Sequence, residues 1–519
     1  MKTGCYLKTP RYNAMLMKGP SLILMIQQNR RWLAFAGLAL VIVVVYGPSL
    51  EHVARGDQVN YLAEMARRHG FAGTVLDSFD LNRTRSFAPG DTFMFRPLLY
   101  LMLGLEKYFF GYEFRLWQAA GILAHLFAVG ALYAFLCRVR GGIFALAGAS
   151  FFAFIPVNIE AVIWHHISAY VIFAGCVLMA LRHLYAPARK ESDVRADHYA
   201  AIGWMAAAVF LYEVGLWYMV AMAVFFWRQG ARRAGLIAAG VVVVYALLSG
   251  LDFAWRHPDA VQEAQVLSAC LGGAALARHA FLLVKWFAAS GFFLGGADLV
   301  SRSRMMVDPG VTAWTWPWGH MSGFHAWLGL GLIFILAVGS LAGRIGAEVR
   351  RNAALLGLAL VMALGGVLMI AAGRISVQGV SQGIIVCLYY PYNFLILLVA
   401  AAGLAAGPGR KIFGYGAAAA MILFSAVCAG EVYAVNERIA RDHNPSRVFI
   451  HELGDFIRTH RQEPGFSFYV GPDYPGNYTP DWLFRRGDAP GRVYTMAEIL
   501  CPQYFTTVHP KYNIVLPPS

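Results

Sequence analysis

The chain has 519 residues, of which 58% are hydrophobic and only 14% charged, with a formal net charge of +14. Soluble domains carry roughly 25% charged residues, so lipid must be the solvent for most of this chain, and a soluble single-domain or multidomain protein is excluded. The basic residues sit in short segments between apolar runs rather than in a stripe on a polar surface, which excludes a nucleic-acid binder and reads as membrane orientation.

The tail 1–31 carries Lys2, Lys8, Arg11, Lys18, Arg30 and Arg31 and no acidic residue. The first apolar run, 32–47, lacks a small-residue cleavage site after it, so it is expected to remain as a span. A long polar loop follows, 48–112, in which 58–69 and 98–110 read as helices lying at the membrane surface. Further apolar runs cover 116–136, 142–157, 161–182, 199–228, 234–251, 325–343, 353–372, 383–405 and 411–430. The stretch 199–228 is interrupted by Glu213 and reads as two short helices turning back there. With about 20 apolar residues needed per crossing, about eleven spans are expected. Residues 280–297 do not fit the alternation and read as re-entrant or interfacial.

Arg138 and Arg140, then Arg228, Arg232 and Arg233, then Arg344, Arg350 and Arg351, then Arg410 and Lys411 mark loops on one side. The positive-inside rule makes that side, and the N-terminus, cytoplasmic. The loops 48–112, 157–160, 252–323 and 373–382 then face outward. After Gly430 charged residues and prolines rise, so 431–519 is expected to be a small α/β extramembrane domain on the outer side. It has a helix over 446–461 and strands over 466–470 and 512–516. The fold class is therefore a polytopic α-helical membrane protein with a small α/β C-terminal domain. Short loops and Ala/Gly-rich spans point to a bacterial plasma (inner) membrane with a periplasmic outer side. The seven cysteines show no CxxC or metal-ligand spacing.

A few polar residues fall where chemistry is plausible. Asp57, in Arg55-Gly56-Asp57-Gln58, follows the first span; a carboxylate there can act as a general base or hold a divalent cation, or it can cap the 58–69 helix. Glu160 sits in the outer turn between Pro156 and Trp164, in the first turn of the next helix, where it reads either as a functional acid or as helix-dipole stabilisation. His165 and His166 are consecutive and point about 100° apart on a helix, so a single contact to phosphate, or a satisfied interface histidine, fits better than a metal pair. Arg96 and Arg374 fall at the outer interface, as phosphate ligands or as snorkelling anchors. Tyr389, Tyr390 and Tyr392 around Pro391 read as an aromatic belt opening the next-to-last span.

Taken in order, Asp57, Phe95-Arg96-Pro97-Leu98, Gly111, the helix with His125, the segment Pro156 to Trp164, and Tyr390-Pro391 resemble the GT-C superfamily of membrane glycosyltransferases. The resemblance is to the protein O-mannosyltransferase-like branch and its bacterial relatives, and it covers roughly residues 32–405 through a few short motifs. It implies a transferase that takes a sugar from a polyprenyl-phosphate-linked donor at the outer membrane face. Asp57 would be the catalytic acid of the first loop and Glu160 the second acid. Arg96, His165, His166, Arg374 and Tyr390 would bind the lipid phosphate, and a divalent cation (Mg or Mn), if one is used, would be held by Asp57 and Glu160. The family commonly places two adjacent acids in the first loop, whereas Gln58 follows Asp57 here, which leaves metal dependence open. Direct displacement at the anomeric carbon would invert its configuration. The sugar and the acceptor are not named by the sequence. The competing expectations are an O-antigen polymerase or ligase, which would rely on Arg374 rather than Asp57, a transporter, and a scaffold. A transporter needs polar groups at mid-membrane depth, where the spans offer mainly His125 and Glu213.

Overall fold

A computed structural model describes the backbone of residues 22–52, 70–73, 75–76, 95–110, 113–185, 191–256, 276–278, 280–281, 283, 305–307, 345–378, 384–386, 389–405, 411–459, 467–469, 493–495 and 513–515. Asp57, the 58–69 segment, the apolar run 325–343 and most of 280–297 lie outside the described residues, as do the side chains of His166 and Arg374.

Helix α1 (Leu22–Tyr46) starts N-terminal of the apolar run at 32 and runs into a 3-10 turn over Gly47–Glu51 that Pro48 opens. After the first loop come α2 (Pro97–Phe110), α3 (Phe114–Val139), α4 (Gly142–Phe154), the short α5 (Asn158–Ile163) and α6 (Ser168–Leu184). Then follow α7 (Glu191–Leu211), α8 (Val214–Arg228), α9 (Arg232–Arg256), α10 (Ile345–Gln378), α11 (Pro391–Ala405) and α12 (Lys411–Thr459). Among the described residues, five stretches are long and apolar enough to cross a membrane: Arg31–Glu51, Phe114–Val139, Arg232–Leu251, Asn352–Ala372 and Gly414–Arg441. Four shorter apolar helices accompany them: Gly142–Phe154, Ser168–Leu184, Val214–Arg228 and Pro391–Ala405. The chain is a polytopic α-helical membrane protein.

The stretch 199–228 does break at Glu213, into α7 and α8. Gly215 makes the reversal possible, because a Cβ there would lie 2.7 Å from the Val209 backbone. The expected span 383–405 begins only at Pro391. Residues Ile384–Val386 are instead a strand, β2, paired antiparallel with β1 (Met305–Val307) in the register Met305 to Val386. A β-branched run (Ile384, Ile385, Val386) bounded by Gly383 suits a strand as well as a span, and the tertiary partner decides between them. At the C-terminus the helix does not stop near Gly430 but continues from Lys411 to Thr459. Its 49 residues extend about 73 Å at about 1.5 Å each, far more than a bilayer core of about 30 Å. What ends near 430 is the apolar character rather than the helix. Beyond it β3 (Ser467–Tyr469), β4 (Val493–Thr495) and β5 (Asn513–Val515) form a small sheet in the order β3-β5-β4, with β4 the strand that the sequence pattern did not show.

The two ends of the bundle differ in charge. At one end, arginines satisfy the orphan carbonyls of neighbouring helix C-termini. Arg138 donates to the Arg182 carbonyl at 2.6 Å, and Arg140 donates to the Gly403 and Leu404 carbonyls at 2.6 and 3.2 Å. Cations there also meet the negative ends of the helix dipoles. At the opposite end lie Glu51, Arg96, Glu106, Arg115, Glu160 and Glu213, with Arg115 donating to Glu51 at 2.9 Å. Helix α12 runs between the two ends. Near its start Tyr415 stacks on Phe144, and farther along the Asn436 carbonyl lies 2.9 Å from the Nε2 of His52.

Candidate active site

Pro97 opens α2 at a position where its missing N–H costs no helix hydrogen bond, and this places Arg96 just before the helix. Arg96 is buried. Its Nε and one terminal nitrogen donate to the two carboxylate oxygens of Glu213, both at 2.5 Å, and the guanidinium carbon lies 3.7 Å above the centre of the Tyr212 ring. Neither the snorkelling anchor nor an open phosphate ligand expected from sequence is what the structure shows, since the planar fork is already matched by a carboxylate. Burial opposes the guanidinium charge, but the Glu213 carboxylate, with Tyr212 and Tyr100 beside it, holds the Arg96 pKa above its usual value. The residue before it is fixed too, because the Tyr245 hydroxyl of α9 donates to the Phe95 carbonyl at 2.8 Å. The C-terminal end of the first loop is thereby tied to the α7–α8 turn and to α9.

Glu160 occupies the first turn of α5, a separate short helix, and not the first turn of the following span. It is 1% exposed rather than at an open interface, and its Oε2 accepts a hydrogen bond at 3.0 Å from the backbone N–H of Tyr389, immediately before α11. A carboxylate at the N-terminus of a helix satisfies an unpaired donor and meets the positive end of the dipole. The helix it stabilises in this way is α11, which is remote in sequence.

His165 is wholly buried in a 3-10 turn after α5. Its Nε2 lies 2.8 Å from a carboxylate oxygen of Glu106 on α2, and its ring packs edge-on against Trp117 with centroids 5.1 Å apart. Glu106 and His165 stand 59 positions apart, so no local spacing in the sequence could show the pair. The turn also sits hard against α3. Gln118 donates to the Ile163 carbonyl at 3.1 Å, and a Cβ on Gly121 would lie 2.4 Å from the Val162 carbonyl oxygen.

The tyrosines around Pro391 are not a lipid-facing belt, because Tyr389, Tyr390 and Tyr392 are all buried. Tyr170 of α6 donates its hydroxyl to the Tyr390 carbonyl at 3.2 Å, and its ring lies edge-on to both Tyr212 and Tyr389. A continuous set of contacts therefore runs from Arg96 and Glu213 through Tyr212, Tyr170 and Tyr389 to Glu160. The described residues bring together Arg96, Glu160, His165 and Tyr390 at one end of the bundle, and the first loop that carries Asp57 leaves and re-enters the bundle at that same end. Among the described residues no group of three or more His, Cys, Asp and Glu side chains is placed to hold a metal ion. One Glu160 carboxylate oxygen is engaged by the Tyr389 amide, and Asp57, the other residue expected to hold a cation, lies outside the described residues.

No family model and no curated protein matches the sequence. Among solved structures, ArnT from Cupriavidus metallidurans bound to undecaprenyl phosphate is similar with a TM-score of 0.46 at 13% identity, over 84% of this chain and 82% of ArnT. The apo ArnT structure gives the same score and identity over 85% and 82%. The Archaeoglobus fulgidus oligosaccharyltransferase tethered to an acceptor peptide containing the NVT sequon is similar with a TM-score of 0.42 at 12% identity, over 95% of this chain and 64% of that one. TM-scores below one half do not by themselves establish a common fold.

Proposed function

We propose that this chain is a GT-C-type membrane glycosyltransferase that moves a sugar from a polyprenyl-phosphate-linked donor to an acceptor at the outer face of a bacterial inner membrane. The observation that carries the reading is the gathering of Arg96, Glu213, Glu106, His165, Glu160 and the Tyr389–Tyr390 segment at the end of the bundle opposite the arginine-capped one. By the positive-inside rule the arginine end is cytoplasmic and the acidic end is outside. Counting the five long apolar stretches, the four shorter helices, α7 and the crossing expected from sequence at 325–343, which lies outside the described residues, the proposed total is eleven. The tail 1–31 is then inside and the region 431–519 outside.

In the reaction, Asp57 takes the proton from the acceptor as the acceptor atom bonds to the anomeric carbon. The bond from that carbon to the lipid phosphate breaks, its electron pair leaves with the phosphate, and polyprenyl phosphate is released with inversion. Arg374 and His166 are assigned to the phosphate, while the buried His165, paired with Glu106, and Tyr390 are assigned to shaping the site beside it. Arg96 is assigned to fixing the loop that carries Asp57, and Glu160 to holding the start of α11. The buried polar groups of the spans favour this reading over transport. Glu213 sits at a helix break and is paired with Arg96, and His125 is engaged on both ring nitrogens. The test is binding of undecaprenyl phosphate to the full chain in nanodiscs, followed by native mass spectrometry. Saturable binding that Arg374→Ala weakens is expected; a wild-type chain that binds none contradicts the donor reading.

A further inference from the structure

We infer that His125 is a positioning residue that sets the spacing between the Glu160 segment and the Tyr389–Tyr390 segment. This goes beyond the proposed function and rests on its donor site. His125 lies within α3 and is wholly buried. Its Nε2 is 3.0 Å from the Ala153 carbonyl oxygen and its Nδ1 is 2.8 Å from the Tyr392 hydroxyl. A carbonyl can only accept, so Nε2 carries the proton, and in the neutral ring Nδ1 accepts the Tyr392 hydroxyl proton.

The two partners belong to the two segments that meet at Glu160. Ala153 lies at the end of α4, where Pro156 interrupts the helix and leaves its last carbonyls without helical partners. Three side chains meet that need: His125 and Tyr46 both donate to the Ala153 carbonyl, Tyr46 at 3.3 Å, and Asn158 donates to the Phe152 carbonyl at 2.7 Å. Tyr392 lies in the first turn of α11, directly after Tyr389 and Tyr390. A closed circuit results, running from Ala153 through His125 and Tyr392 to Tyr389, across the Tyr389 N–H to Glu160, and back along the chain to Ala153. One imidazole spans the gap that the Glu160 contact closes from the other side. The rings of Tyr46, Phe152 and Tyr392 pack around it, with Phe152 and Tyr392 edge-on at 4.9 Å, so the ring has one orientation.

A histidine that only filled the core would lower stability when replaced and leave ligand affinity in the folded protein unchanged. A positioning histidine changes affinity, and does so through Tyr392. The measurement uses the full chain in nanodiscs, with undecaprenyl phosphate as the probe and the unfolding temperature recorded for each variant. His125→Gln keeps an amide near the Nε2 position and loses the link to Tyr392; Tyr392→Phe deletes one oxygen and loses the same link. Each is expected to weaken binding about tenfold, as for one buried hydrogen bond. The double variant is expected to weaken it no further, because both changes break one contact. His125→Asn, which keeps an amide near Nδ1, is expected to restore part of the affinity lost in His125→Gln. Wild-type affinity in folded Tyr392→Phe and His125→Gln, or fully additive losses in the double variant, overturns the inference and leaves the donor reading standing. Absence of binding by the wild type overturns the donor reading and the inference with it. Should the His125 variants fail to fold, Tyr392→Phe decides alone.

Discussion

At Arg96 the guanidinium has exchanged water for the Glu213 carboxylate and the Tyr212 ring, with side-chain exposures of 8% for the arginine and 28% for the glutamate. Removing either partner strands the other. Arg96→Ala is expected to cost about 3 kcal/mol, the lower end for a buried pair because Glu213 retains some water, and a lowered unfolding temperature in detergent checks it. Arg96→Lys keeps the charge but not the two-pronged geometry, and is expected to recover only part of the loss. For Glu160, the Gln variant preserves an oxygen that can accept the Tyr389 N–H, whereas Ala does not. Glu160→Gln should therefore retain at least about a tenth of wild-type transfer while Glu160→Ala retains far less; equal and complete loss in both, with the fold intact, would assign Glu160 to proton transfer instead. Such residues were legible in the sequence as charged groups in costly places. Their partners were not, since Glu213 stands 117 positions from Arg96 and Tyr389 stands 229 from Glu160. Periodicity reports which face a residue occupies, and contacts across a bundle leave no mark in local spacing.

Elements were easier to read where a local rule decides them. Pro156 ends α4, Glu213 breaks a long apolar run, and both breaks stand where the residue types placed them. One reading failed because several backbone states satisfy one composition: the segment 383–388 suited a span until its pairing with Met305–Val307 made part of it a strand. Close approach between elements also carries a prediction. Gly121→Ala puts a methyl 2.4 Å from the Val162 carbonyl oxygen and must displace the segment that holds Glu160 and His165. A stability loss of about 1–3 kcal/mol is expected, together with reduced transfer. Gly37→Ala, with nothing within 4 Å of its new methyl, is expected to leave both unchanged. Unfolding temperatures and transfer rates of the two variants, measured side by side, test the contrast.

For the whole molecule, the separation of an arginine-capped end from an acidic end was foreshadowed by the distribution of Arg and Lys among the short loops, since charge placement along a membrane chain is a global pattern visible without contacts. It predicts the outcome of cysteine labelling in intact cells. In a chain whose own cysteines are replaced by serine, Glu113→Cys at the acidic end should react with a membrane-impermeant maleimide. Gln229→Cys at the arginine end should react only after permeabilisation, and the reverse pattern would invert the topology. Asp57, to which the proposed reaction assigns proton abstraction, lies outside the described residues. The most direct measurement compares a gene-deletion strain with strains restored by the wild type or by Asp57→Asn, following polyprenyl-phosphate sugars and envelope glycans by mass spectrometry. A lipid-linked sugar should accumulate in the deletion strain while one glycan loses that sugar, with the wild type reversing both and Asp57→Asn, slowed about 100-fold or more, reversing neither. Full restoration by Asp57→Asn, or no change in lipid-linked sugars on deletion, would contradict the assignment.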